Sequence, residues 1–181
     1  MEFLKNDMVI VNPLKVKRWI LDELEASMLL YFTGASRSSA AIIDEQKKNT
    51  SQGNNGAIEA MHKIKQSAID MKLAVLKGDV EGFADILREA WENKKKMANN
   101  ITNQMIQEAM DVAMASGAKA GKVSGAGGGG FIMFVVEPTR KKEVEMALKK
   151  LDGFVMPFQF TEGGAHGWKI YPTDKVSSLT I

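Results

Sequence analysis

The stretch KVSGAGGGG, residues 122–130, puts five glycines into nine residues and runs straight into FIMFVV, residues 131–136. Glycine loses more conformational freedom on folding than any other residue, so a run of it against an apolar strand needs a backbone reason. Spacing alone marks Gly125, Gly127 and Gly130 as G-x-G-x-x-G. The dinucleotide fingerprint, however, needs a helix after the glycines to hold the pyrophosphate at its N-terminus. Here a strand follows. A P-loop is excluded as well, because no Lys-Ser or Lys-Thr follows the last glycine. The RNA-recognition signature fails at Ile132 and Met133, which stand where a small residue and an aromatic are required.

What remains is a strand–glycine loop–strand hairpin. Consecutive small residues leave backbone N–H groups uncovered and able to converge on an anion, as a nest. Gly125, Ala126, Gly127, Gly128, Gly129 and Gly130 would supply those amides, Ser124 a hydroxyl and Lys122 a point charge at the loop's entrance. The competing reading is a wide turn whose glycines only supply positive φ angles. One or two glycines suffice for a hairpin turn, so the surplus favours close approach of a ligand.

Working outward, residues 8–13 read as a short strand ended by Pro13, and the next segment as a helix that Pro13 starts. Residues 27–34 are a compact apolar run ended by Gly34, hence a buried strand. Ser36 can cap a following helix whose apolar side includes Ala40 and Ile43. A longer helix spans residues 56–76 with a stripe of Ile58, Met61, Ile64, Ala68, Met71 and Val75. Asp79 caps the next, whose Val80, Phe83, Ile86, Leu87, Ala90 and Trp91 form the strongest amphipathic pattern in the chain. A helix over residues 103–116 turns Ile106, Ala109, Met110 and Ala113 inward and stops at Gly117. After the hairpin, residues 138–153 form a helix with Val144, Ala147, Leu148 and Leu151 inward. Two strands, FVMPFQFT and AHGWKIY, close the fold, with Pro157 marking an edge or a bulge.

No composition break divides the 181 residues. One α+β domain is expected over residues 1–172, with residues 173–181 as a tail. Its four or five strands have helices on one face, and the element order is compatible with a ferredoxin-like sandwich. Hydrophobic content of 45% and charged content of 25% are ordinary for a globular chain. No apolar run reaches the roughly 20 residues of a membrane helix, and the stretch MEFLKNDMVIVNP lacks the basic start and long apolar run expected of a signal peptide. Cysteine is absent, which excludes disulfides and thiolate chemistry and fits the cytoplasm. With a net charge of +2, the groups Lys94, Lys95, Lys96 and Lys141, Lys142, Lys149, Lys150 read as solvated helix faces, without aromatics to stack on nucleic acid.

The loop and its strand, KVSGAGGGGFIMF, resemble the third motif of the GHMP kinases, the superfamily of galactokinase, homoserine kinase and mevalonate kinase. Residues 11–46 and 158–171 are similar to the bacterial members that act on a heptose 7-phosphate, so the resemblance covers residues 3–171. It implies a C-terminal domain of ferredoxin-like fold with an inserted bundle of helices on one face of the sheet. It also implies an ATP- and Mg²⁺-dependent kinase that phosphorylates the anomeric hydroxyl of a sugar or heptose 7-phosphate. The loop would border the phosphate site. The family's principal ATP loop and the segment carrying its catalytic aspartate have no counterpart here. The resemblance therefore implies an N-terminal half outside this chain, no catalytic residue within it, and little turnover by it alone.

In GASRSS, Ser36, Arg37 and Ser38 stand at a strand-to-helix junction, where they either grip a sugar phosphate or merely cap a helix. His62 and His166 are read as structural, with no metal site. Asp44 and Glu45 are read as a solvated face, and the twelve methionines as core filling. Two further readings stand beside the kinase half. One is a free-standing ferredoxin-like module that binds a ligand or a protein. The other is an RNA-binding sandwich, which needs exposed sheet aromatics. An orphaned half also implies exposed apolar surface and a homodimer, with no nucleic-acid or membrane partner.

Overall fold

The computed structural model describes residues 1–34, 39–161 and 163–169. The chain opens with a small exposed ladder in which β1 (Glu2–Phe3) pairs antiparallel with β2 (Val9–Ile10). The helix α1 then runs Arg18–Ala26, so the expected start at Pro13 is too early. Leu14 finds no core to face, and burial begins only at Ile20. Next come β3 (Met28–Phe32), α2 (Ser39–Ser51), α3 (Asn55–Lys77), α4 (Val80–Lys95) and α5 (Gln104–Ala115). The glycine hairpin joins β4 (Ala118–Val123) to β5 (Phe131–Val136). A 3-10 turn, Pro138–Arg140, leads into α6 (Lys141–Leu148), and β6 (Phe154–Met156) follows.

The four longer strands form one sheet in the order β4-β5-β3-β6, with every neighbouring pair antiparallel. Numbered among themselves they run second, third, first, fourth, which is the ferredoxin-like order expected from the sequence. The continuous hydrophobicity of β5 follows from burial on both sides. Ile132, Phe134 and Val136 face the core built with α5 and α6, while Val135 faces a second core. That second core joins Ala120 to Ile20 and Leu24 of α1, Ala74 of α3, and Phe83 and Leu87 of α4. Parts of α3 and α4 thus pack with α1 across the face opposite α5 and α6, while Ile42 of α2, Ala60 of α3 and Trp91 of α4 join the first core.

Capping follows the sequence closely. Asp79 accepts from the Gly82 amide at 2.8 Å, and Asn54 accepts from Ala57 at 3.2 Å. The Lys141 ammonium donates to the last carbonyls of α1, Glu25 and Ala26, at 3.1 and 3.0 Å. Lys141 therefore ties α6 to α1 rather than facing solvent freely.

Several expectations need correction. In α2 the inward residue is Ile42, whereas Ala40 and Ile43 are exposed. In α3 the buried residues are Ala57, Ala60, Ser67 and Ala74, while Met61 is exposed and Ile58 only half-buried. Small residues face α4 because two helices in broad contact approach most closely where side chains are short. Seven methionines, at positions 1, 8, 61, 105, 114, 146 and 156, are exposed, so core filling fails for most of the twelve. The second closing strand is absent over residues 163–169, and β6 stops before Pro157, at the sheet edge where a proline is tolerated. The tail, residues 173–181, lies outside the described residues.

Candidate functional site

The loop between β4 and β5 is held open by its own geometry. Gly125, Gly127, Gly128, Gly129 and Gly130 all have positive φ, from 76° to 147°, which accounts for all five glycines. The turn reading and the ligand reading are therefore not alternatives, since the same glycines shape the turn and bare its amides. At the loop's base the Ser124 amide donates to the Phe131 carbonyl at 2.8 Å. On one flank the Gly128 amide donates to the Ile101 carbonyl at 2.8 Å, and the Asn103 Nδ2 donates to the Gly128 carbonyl at 2.9 Å. On the other flank, the Thr33 amide donates to the Gly130 carbonyl at 2.9 Å and the Gly130 amide donates to the Thr33 Oγ1 at 3.1 Å.

These ties leave the amides of Gly125, Ala126, Gly127 and Gly129 with no acceptor among the described residues. Gly127 is itself buried, and an interior N–H without a partner is uncommon. Four free donors on one anchored loop are an arrangement suited to an oxyanion. Ser124 sits exposed at the rim.

Lys122 and Lys94 stand beside the loop. Lys122 is half-buried on β4 and makes no hydrogen bond or ion pair among the described residues. Burial pushes its ammonium below the ordinary lysine range. Lys94, in the last turn of α4, is also half-buried and donates to the Gln46 Oε1 at 3.1 Å. Burial lowers its pKa first, and the positive charge of Lys122 lowers it further. Lys94 is thus not part of a solvated face as its basic run suggested; only Lys96 of that run is exposed. While both ammonium groups are protonated they weaken the fold, so stability should rise as pH climbs through the folded values toward the ordinary lysine value.

Ser36, Arg37 and Ser38 lie outside the described residues, so their reading as a sugar phosphate contact has no geometry here. His62 and His166 are exposed, and among the described residues no three His, Asp or Glu side chains cluster. Glu45 is tied down, its Oε1 accepting from the Asn99 amide at 3.0 Å. A cleft of about 560 Å³ between α1 and the segment after β6 lies away from the loop, and its one lysine, Lys141, is committed to the α1 carbonyls.

Sequence reasoning missed Thr33, Asn103, Lys94 and Gln46. Asn103 was the most legible of these, being a cap residue directly before an apolar helix. Its Oδ1 accepts from the Ile106 amide at 3.0 Å while its Nδ2 holds the loop. Asn103→Ala removes both bonds at once. It is expected to cost about 1–2 kcal/mol, read as a shift in the urea midpoint. It should also speed hydrogen exchange at Gly128 more than at residues of β5.

Residues 71–151 match the family model described as GHMP kinases C terminal. With the sheet order and the glycine hairpin in place, the chain carries a GHMP kinase C-terminal domain. Across 170 residues it is 44% identical to D-glycero-alpha-D-manno-heptose 7-phosphate kinase of Campylobacter jejuni subsp. jejuni serotype O:2, covering 94% of this chain and 50% of that protein. A solved structure described as a D-glycero-D-manno-heptose 1-phosphate kinase, from Bacteroides thetaiotaomicron, is 60% identical, with a TM-score of 0.65. That likeness covers 94% of this chain and 44% of the other. Phosphomevalonate kinase of Streptococcus pneumoniae, at 18% identity and a TM-score of 0.60 over 71% of this chain and 37% of the other, shares the fold. The chain thus spans about half the length of the relatives it matches.

Proposed function

We propose that this chain is the C-terminal half of an ATP-dependent sugar kinase that phosphorylates the anomeric hydroxyl of a heptose 7-phosphate in the cytoplasm. Residues 1–172 form the domain and residues 173–181 its tail. The observation that carries this reading is the set of free amides at Gly125, Ala126, Gly127 and Gly129 on an anchored loop, in a chain similar to heptose phosphate kinases along 94% of its length.

ATP donates the phosphoryl group, and Mg²⁺ offsets the charge that gathers on the phosphate oxygens. The described residues offer a fit to the phosphates, through amides and Lys122, but no cluster of carboxylates to hold the metal. By the resemblance to the GHMP kinases, metal binding and the catalytic base are assigned to the N-terminal half. Phosphoryl transfer rests largely on positioning and charge stabilisation. The loop amides orient an oxyanion, Lys122 adds positive charge, and Ser36, Arg37 and Ser38 are retained as a second contact to the substrate.

The N-terminal half would also cover apolar surface that is open here. Phe3 and Val11 near the β1–β2 ladder, and Phe154 and Met156 on the edge strand, are exposed. Without that cover, light scattering at high concentration is expected to find homodimers, and a strict monomer throughout would contradict this.

A second reading, an independent ligand-binding module, gains support from the fact that the free amides lie wholly within this chain. Isothermal titration separates the two. The kinase-half reading predicts weak binding of sugar phosphate and ATP alone and a large gain once the N-terminal half is added. Tight binding without it would favour the independent module.

A further inference from the structure

We propose that Lys94, Lys122 and Gln46 form a phosphate-binding site of their own beside the glycine loop, which takes a phosphate separate from the one held by the loop amides. This rests on the kinase reading for the nature of the ligand, since an activated sugar phosphate and its nucleotide both bring phosphates to this wall. The site itself rests on three features of the chain.

The first is that both lysines lack an anionic partner among the described residues, whereas other cations have one. Lys95 pairs with Glu92, Lys119 with Glu81, Lys63 with Glu59, and Arg140 with Glu143. Lys63 and Arg140 lie at the surface, where a partner is least needed, but Lys95 and Lys119 are half-buried and each has its carboxylate. Lys94 and Lys122 are half-buried, where it is needed most, and neither meets a carboxylate among the described residues. Burying a charge without a counter-charge is costly, and setting two like charges close together increases the cost.

The second feature is the orientation of Gln46. Its Oε1 accepts from Lys94, while its Nε2 is buried with no acceptor among the described residues. An unpaired buried amide donor is itself destabilising, so the site holds two ammonium groups without a counter-anion and one amide N–H without an acceptor among the described residues. A phosphate offers several acceptor oxygens and negative charge, and would satisfy all three.

Placement is the third feature. Lys122 stands next but one to Ser124, at the entrance of the loop, so the two sites share a rim. Gln46 comes from α2, Lys94 from α4 and Lys122 from β4. The site is thus assembled by the tertiary fold. A solvated lysine run would need no such convergence.

The test uses the full 181-residue chain with ¹³C-labelled lysine and inorganic phosphate as the probe. The Cε resonances of Lys94 and Lys122 are expected to move together with one saturating phosphate affinity, while Lys95 and Lys96 stay nearly still. Lys94→Met should weaken that affinity about ten-fold or more, as expected for loss of a charged hydrogen bond. Lys94→Arg should retain most of it. Thermal unfolding of Lys94→Met without phosphate should be unchanged or raised, because an unpaired buried charge has been removed. If Lys94→Met fails to fold, Lys94→Gln provides the same comparison.

Non-saturating shifts shared by all lysines, or an affinity indifferent to Lys94→Met, would overturn the site. In protein carrying both halves, the same substitution should raise the KM for sugar phosphate if that phosphate is the ligand, or for ATP if the nucleotide is. An active two-half enzyme with both KM values unchanged overturns the site and leaves the kinase reading standing. Lysine-dependent phosphate binding in a two-half protein that transfers no phosphate does the reverse.

Discussion

Gly127→Val, made in protein that carries both halves, is expected to lower kcat/KM at least ~100-fold, the scale of a 1 Å displacement at a reacting centre. A Cβ at this position would sit 2.6 Å from the Ile101 carbonyl oxygen, and the residue has a φ of +106°. The carbonyl is backbone and already accepts from the Gly128 amide, so it cannot step aside without releasing the loop. The substitution thus forces a β-branched residue into a strained conformation, at about 1–3 kcal/mol, and breaks the bond that sets the amides. Gly125→Ala is the control. It also has a positive φ, yet nothing lies within 4 Å of its added Cβ. It should fold and cost far less activity. Steady-state kinetics with a coupled assay for ADP reads both, and normal turnover by Gly127→Val would show that the loop has no part in the reaction.

Phe134→Ala carries the largest expected effect on stability. Phe134 is 0% exposed at the centre of β5, paired across the sheet with Leu29 and Gly121. Its ring fills the space above Gly121, where an added Cβ would come within 2.7 Å of Cδ1. Emptying that volume leaves a cavity walled by rigid strands, so relaxation can recover little of the loss. Truncations of this kind cost about 3–5 kcal/mol. For a domain of this size that is a fall in Tm of roughly 6–20 °C. A fall of a degree or less by calorimetry would mean that the sheet face against α5 is not the main core.

These two positions show what could be read from the chain. The pattern of α5 was fully legible: Ile106, Ala109, Met110 and Ala113 are the residues that are buried. The burial of β5 was legible for the same kind of reason, since only a strand covered on both sides tolerates unbroken hydrophobicity. The faces of α2 and α3 were not. Hydrophobicity alone pointed to Met61 and Ile43, but close helix contact selected alanines and Ile42, a choice that depends on the neighbouring helix. At the site, the glycine loop announced itself by composition, and a single segment could carry that signal. Thr33, Lys94 and Gln46 could not be found this way, because each comes from a different element and only the fold brings them to the loop. The reading of Lys94 as one of a solvated run failed for that reason.

The central claim is that this chain completes a kinase whose remaining catalytic parts lie in an N-terminal half. The most direct measurement combines the chain with that half, separately produced, in the presence of heptose 7-phosphate, ATP and Mg²⁺, and follows the products by ³¹P NMR. A new anomeric phosphate resonance should grow with the release of ADP when both halves are present, and neither half alone should produce it. Absence of that resonance from a mixture in which the halves demonstrably associate, or its full appearance without this chain, would contradict the account.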